Sequence, residues 1–363
     1  MKKKSSVKTG LILLCAVSVL LALCAAVFAA GLHLLSPATD AGEERVSRIE
    51  IPSGTGVRAV ASMLAQKQLI RSEKMFYIAA RYPVIVRRNH PFMLKSGVYP
   101  VSSAMSVHEI LDLLESGKQE YIKTVIPEGL TLSKIAAELE ENGVCGADEF
   151  KSAARSPALL SEYKIPAENF EGYLFPDTYF FTPMMRAEDV LRMMADTFFK
   201  RIQTLEIAPS KGGGNVSPEQ LHQIVILASI VEREYRIDSE APLIASVFTN
   251  RIKVNSGLYS CATIEYIITE IMGKPHPDVI TYDDLKIDNP YNTYKWAGLT
   301  PGPISNPGMV ALQAAANPPA TDYFYFTLTD SAAGSHTFTE SLSSHAQAGA
   351  QFKFRTKKAA ASK

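Results

Sequence analysis

The 363 residues are 47% hydrophobic, with 37 Lys and Arg against 37 Asp and Glu, so the formal net charge is zero. That apolar share supplies real cores and excludes a disordered chain, and the balanced charge leaves no basic field to attract nucleic acid. Of four cysteines, Cys15 and Cys24 lie in the apolar N-terminal run, leaving Cys145 and Cys261 for the globular part. Their spacing makes no zinc site, and two buried, unpaired thiols are the expectation.

The chain opens with a basic segment, residues 1–10, carrying Lys2, Lys3, Lys4 and Lys8, followed by an uncharged apolar run from Leu11 to Leu35. A run of that length meets the roughly 20 residues a bilayer crossing needs and exceeds the core of a cleaved signal peptide, about 7 to 15 residues. An uncleaved single-pass anchor is expected. With the lysines on the short leading side, the positive-inside rule places the remainder outside the cytoplasmic membrane. Residues 36–44, small and polar, read as a linker.

Two later stretches resemble each other. Ile51 onward reads IPSGTGVRAVASMLAQKQLI and Ile126 onward reads IPEGLTLSKIAAELEENGVC. Each runs from a β-type segment through Ile-Pro and a Gly turn into an amphipathic helix, with Val57, Val60, Ala61 and Leu64 repeated as Leu132, Ile135, Ala136 and Leu139. Two related α/β modules are therefore predicted within residues 45–145. The stretch EGYLFPDTYFF (residues 171–181) concentrates aromatics that suit a domain core or a sugar face equally well. After a helix from Ala187 and a flexible loop at Lys211–Asn215, Ser217-Pro218-Glu219 signals the start of another helix.

That helix is the focal element. From Ile224 to Val231 it is almost wholly apolar, so it is buried nearly all round, and it ends in Glu232 and Glu234. On a helix Glu232 aligns with Ala228 and Val225, while Glu234 aligns with Ile230 and Leu227. Periodicity cannot choose between the two carboxylates. A second mostly buried helix follows at Ala241–Ile252, then one near Ile264–Met272, and then a stretch over residues 289–308 too rich in Pro, Gly and Asn to be regular. A short helix at Val310–Ala316, a strand at Asp322–Leu328 and its partner at Ser335–Phe338 complete the domain, and residues 351–363 form a basic tail. No metal-ligand, thiol-redox, serine-hydrolase or dinucleotide signature is present, and no cofactor is expected.

LASIVERE (residues 227–234), ASVFTNRI (245–252), YNTY (291–294), GLTPGPISNPG (298–308), YFYF (323–326), HTF (336–338) and Ser344-His345, together with IPEG and EGYLFPDTY, resemble the endolytic murein transglycosylase, or YceG-like, family. The resemblance runs in the family's order from the anchor to about residue 348. It implies an α+β protein: a transmembrane helix at 11–35, a LysM-like subdomain within 45–145, and a mixed α+β catalytic domain at 146–350. It implies cleavage of peptidoglycan glycan strands near their synthesis, with peptidoglycan synthases as partners, and it places the catalytic acid at Glu232. Tyr291, Asn292, Tyr294, Gly302, Asn306, Gly308 and His336 are the expected substrate-binding residues. The family often has Asp-Pro where this chain has Cys261-Ala262, which leaves residues 260–263 without an assigned role.

The implied reaction needs one carboxylate. A protonated glutamate donates to the β-1,4 bond between MurNAc and GlcNAc, then takes the proton of the MurNAc 6-hydroxyl as that oxygen closes onto C1. Two other readings compete with it: a non-catalytic wall-binding or division scaffold, and a hydrolase in which Glu234, Asp238 or Glu240 activates water as a second carboxylate.

Overall fold

The computed structural model describes residues 3–39, 44–86, 89–118, 121–205 and 216–350. The expected basic tail at 351–363, the Lys211–Asn215 loop and residues 40–43 of the linker lie outside the described residues. The chain forms two compact units that divide between Tyr121 and Ile122.

The first unit opens with α1 (Lys3–Leu35), helical already within the leading basic segment. Its stretch from Leu14 to Leu35, with a mean hydropathy of 2.5, is long and apolar enough to cross a membrane. The end of α1 is tied down. Leu35 packs against the first unit's core, Arg71 Nε donates to Pro37 O at 2.6 Å, and Thr39 N donates to Ser103 O at 3.1 Å. The expected linker thus begins as fixed chain. Strand β1 (Val46–Ile51) pairs antiparallel with β2 (Gly97–Ser102), and between them run α2 (Val57–Gln66) and α3 (Glu73–Arg81). Helix α4 (Val107–Ser116), started by a Ser106–Glu109 capping box, completes this layer. Val60, Ala61, Leu64, Phe76, Tyr99, Ile110 and Leu111 form its dry core.

The second unit begins with β3 (Ile122–Val125) and α5 (Leu132–Glu141). Gly54 and Gly129, 75 positions apart, both take positive φ, +83° and +78°, in the turn between strand and helix. The units nevertheless divide before the second module, where sequence placed the boundary near residue 145. The reason is packing. Ile135, Ala136 and Leu139 of α5 pack into the core that also holds the long apolar helix, and β3 finds its antiparallel partner in β4 (Thr178–Phe181), after α6 (Ala147–Ala153) and α7 (Pro157–Glu162).

Next come α8 (Ala187–Ile202), α9 (Pro218–Val231), α10 (Ala241–Lys253) and α11 (Cys261–Tyr266), which continues as a wider π turn over Ile267–Ile271. Helix α12 (Met309–Ala316) packs on α9 and α10, and β5 (Tyr325–Asp330) pairs antiparallel with β6 (Ser335–Thr339). Tyr173, Phe175, Tyr179 and Phe181 of the EGYLFPDTYFF stretch are all buried in this core, which decides their role in favour of packing.

Candidate functional site

Helix α9 forms as its sequence directs. Ser217 Oγ accepts from Gln220 N at 3.2 Å, Gln220 Oε1 accepts from Ser217 N at 3.0 Å, and Pro218 occupies the first turn. Val225 through Val231 are all buried. At its end the hydrogen bonds tighten: Glu232 N still reaches back four residues to Ala228 O, but Arg233 N and Glu234 N bond three residues back, to Ile230 O and Val231 O. The chain leaves the helix in that turn, so the two glutamates do not follow helical periodicity and enter different surroundings.

Glu232 meets the long loop. Ser229 on α9 accepts from Ile304 N at 3.0 Å through its hydroxyl and from Ser305 Oγ at 2.9 Å through its carbonyl, stitching GLTPGPISNPG along the helix. The loop ends at Gly308, whose N–H donates to Glu232 Oε2 at 2.9 Å at the start of α12. Tyr235 OH lies 3.3 Å from Glu232 Oε1. The IPEG turn closes the other side: a Cβ on Gly129 would stand 3.5 Å from Glu232 Cγ, and one on Gly308 would run into the Glu128 carboxylate. Loss of water lifts the Glu232 carboxyl to about 7, with Glu128 and Asp238 adding to the rise and the Gly308 and Tyr235 hydrogen bonds opposing it.

Glu234 faces a cavity of about 530 Å³, walled by Arg251, Tyr259, Cys261, Tyr294, Tyr325, Phe326, Leu342 and His345. Its construction is traceable. Thr293 of YNTY takes Tyr259 N on its carbonyl at 3.2 Å and Ser260 N on its hydroxyl at 3.1 Å, and this sets Tyr294 beside Cys261, with the phenol oxygen 3.0 Å from Sγ. Asn250 Nδ2 donates to Thr321 O and Tyr323 O at 2.7 and 3.0 Å, and Arg251 Nε donates to Phe324 O at 2.8 Å, drawing β5 with its Tyr325 onto α10. Ser260 Oγ donates to Glu234 Oε1. Protein crowds the Glu234 carboxylate while part of the residue's surface stays open to the cavity, and desolvation lifts it to about 7 against the opposing effects of Ser260, Arg233 and Arg251.

The expected substrate-binding residues divide. Tyr294 lines the cavity and Gly308 holds Glu232. Asn292 is buried and spent on its own loop, donating to Leu285 O and Ile287 O and accepting from Tyr294 N. Asn306 is likewise buried: it accepts from Leu174 N and donates to Leu130 O and to Glu171, itself a buried carboxylate raised to about 8 by desolvation. His336 pairs with Glu240 at 2.7 Å and pins β6 to the start of α10. The Asn292 and Asn306 amides are thus spent within the protein, and His336 commits its backbone N–H and Nδ1 to Glu240. Tyr291 tilts against Tyr266, and its hydroxyl lies 2.8 Å from where a Cβ on Gly302 would be, so that pair is a close-packed loop brace. Cys261, expected buried, is exposed, and all four cysteines are free.

Sequence reasoning assigned no role to Arg251, Tyr259, Ser260, Tyr325 or His345. A signal existed for Arg251, a charge on a mostly apolar helix, which is the pattern that drew attention to the glutamates.

A family model described as the YceG-like family matches residues 49–351. The chain belongs to the YceG-like family. A protein of Bacillus subtilis (strain 168) named endolytic murein transglycosylase is 33% identical over 340 residues, spanning 88% of this YceG-like chain and 88% of that protein. A protein of the same name from Streptococcus pneumoniae serotype 2 (strain D39) is 28% identical over 317 residues, 79% of this chain and 55% of its own length. The crystal structure of a YceG-like protein from Listeria monocytogenes covers 84% of this YceG-like chain and 99% of its own, at 29% identity and a TM-score of 0.54.

Proposed function

We propose that this YceG-like protein is an endolytic peptidoglycan lytic transglycosylase and that Glu234 is its general acid. The names of its relatives support the reaction class. The observation that carries the assignment is the cavity: Glu234 is the one carboxylate among its lining residues, burial raises its carboxyl to about 7, and aromatic rings of the kind that stack on sugars surround it.

The protonated carboxyl gives its proton to the glycosidic oxygen, and the C1–O4 bond breaks with its electron pair going to that oxygen. The MurNAc 6-hydroxyl then bonds C1 and returns its proton to the carboxylate, restoring the acid and leaving a 1,6-anhydro end. With one carboxylate in the cavity, the two-carboxylate hydrolytic route lacks its second group. Of the candidates for that role, Glu240 is tied to His336 and Asp238 sits with Glu128 near Glu232.

The resemblance puts the acid at Glu232, and one observation favours that second reading: Glu232 is also held at about 7, with Tyr235 and the Gly308 amide in contact. Replacing each in turn separates them. Glu234→Gln is expected to lower release of anhydro-ended fragments from purified glycan by about 100-fold or more, with Glu232→Gln keeping most of the rate; the opposite pattern assigns the acid to Glu232. Reducing MurNAc ends in the mass spectrum would replace the lytic route with hydrolysis, and no release of fragments by the unsubstituted protein would favour a scaffold.

We further infer that α1 crosses the cytoplasmic membrane once with the lysine-bearing end inside, that the first unit is the LysM-like module, and that peptidoglycan synthases are neighbours of the enzyme. The apolar span of α1 and the tied segment that follows it support the first of these.

A further inference from the structure

Arg251 is a buried cation on α10, 8% exposed, in a helix otherwise chosen for the core. Removing a guanidinium from water is costly, and the chain compensates only part of that cost. Nε donates to Phe324 O at 2.8 Å and Nη1 to Leu258 O, while the rings of Tyr259 and Tyr325 each lie with their centroid 5.5 Å from Cζ. Those contacts fix the plane of the group. Nη2 has no hydrogen-bond partner among the described residues, and Arg251 forms part of the cavity wall that also holds Glu234. Among the described residues no carboxylate is paired with Arg251 in the way that Glu265 is paired with Arg233 at 2.7 Å.

We propose that Arg251 is a positioning residue for the acid: its fixed charge on the cavity wall stabilises the carboxylate that Glu234 becomes once its proton has gone to the glycosidic oxygen. The inference rests on the reading of Glu234 as the acid. Before transfer the cavity holds a neutral carboxyl and a lone cation; after transfer it holds an opposed pair. The gain therefore appears as charge develops and not in the ground state, which is what a contribution to rate requires. Because the guanidinium is already held by two carbonyls and two rings, little reorganisation is needed at the moment of transfer.

The neutral groups facing Glu234 do not supply this charge. Ser260 donates a neutral hydroxyl, and Tyr259, Tyr294 and Tyr325 are phenols, Tyr294 being raised above its ordinary range by burial and by Cys261. Cys261 stands 3.0 Å from the Tyr294 hydroxyl. The His345 imidazole, stacked on Tyr325, is kept toward its neutral form by burial and by Arg251. Arg233, on the same turn as Glu234, also favours its charged form, but that guanidinium is already paired with Glu265. Of the two cations acting on Glu234, Arg251 is the one with no carboxylate ion pair among the described residues.

The test is the pH dependence of the cleavage rate. Activity requires the protonated acid, so the wild-type rate falls as pH rises through the ionisation of Glu234. Arg251→Gln removes the charge while its amide can still donate to one of the two carbonyls. It is expected to move that alkaline limb upward by about one pH unit and to lower the plateau by roughly tenfold, because a less stabilised carboxylate makes a weaker acid. Arg251→Lys keeps a charge but draws it toward the carbonyls, so its limb moves by a smaller step in the same direction. If the Gln variant does not melt cooperatively, the direction of the Lys step decides. A limb that stays at the wild-type pH in the folded variants, with the rate reduced equally at every pH, overturns the inference and leaves Arg251 a structural brace. Failure of the underlying reading looks different: Glu234→Gln would remain active in the wild-type Arg251 background.

Discussion

The two thiols of the second unit have opposite surroundings. Cys145 is buried, and desolvation together with Glu149 and Glu140 pushes its thiol up to about 11, so it stays unreactive at neutral pH. Cys261 is exposed on the cavity wall that also carries Glu234. Brief treatment with iodoacetamide is therefore expected to modify Cys261 first, readable by peptide mass, and to block glycan cleavage by filling the cavity. Cys261→Ser should keep its activity under the same treatment. Full activity after stoichiometric labelling would mean that glycan does not occupy that wall. Gly308 makes a second residue-scale case. Its amide serves Glu232, and a methyl group there would clash with the Glu128 carboxylate and stand 2.9 Å from its Cγ. Gly308→Ala is expected to cost on the order of 1–3 kcal/mol of stability, and adding Glu128→Ala should recover part of the loss in the same denaturant titration.

At the scale of elements, the joint between α5, the EGY turn and the long loop depends on one buried proton site. Glu171 accepts from Leu132 N at the start of α5 and from Asn306 Nδ2, and burial lifts its carboxyl to about 8. In the unfolded chain it titrates at an ordinary carboxylate value near 4. Between those values the folded state holds a proton that the unfolded state has lost, so stability falls as pH rises from about 5 to about 8, by a few kcal/mol at most. Glu171→Gln should flatten that part of the melting-temperature profile; an unchanged slope would show that other groups set it. The same joint marks how far the sequence could be read. Helix α9, its Ser217 cap and its all-round burial were legible because local propensity and apolar periodicity agree there. The long loop was recognisable as ordered from its rings and its turn residues. Which glutamate faces the cavity was not legible, because the answer depends on a turn that departs from helical spacing after Val231. The internal bonds of Asn292 and Asn306 were hidden for a related reason: a polar residue in a functional motif can be spent on holding the motif, and only its hydrogen-bond partners reveal it.

For the whole molecule, the division at Tyr121/Ile122 is the point where sequence and structure can be set directly against each other. Internal likeness grouped the IPEG module with its earlier copy, and a boundary near residue 145 followed. Packing groups it with what it touches. A fragment beginning at residue 146 lacks β3, the partner of β4, and α5, whose Ile135, Ala136 and Leu139 fill the core shared with α9. Losing Ile135 and Leu139 alone, at roughly 2–5 kcal/mol each, removes an amount comparable to the stability of an ordinary domain. It would also uncover the Glu171 carboxylate and free the Asn306 amide from Leu130. Residues 122–350 keep every wall residue of the Glu234 cavity and the whole of that core. Expressed separately, 122–350 is expected to melt cooperatively and to release anhydro-ended fragments from soluble glycan, whereas 146–350 is expected to show no cooperative transition by circular dichroism. A cooperative melt from the shorter fragment would restore the boundary drawn from sequence. If instead 122–350 folds but does not cut, a contribution of the first unit to substrate capture follows, and adding that unit back in the chain 45–350 would restore cleavage.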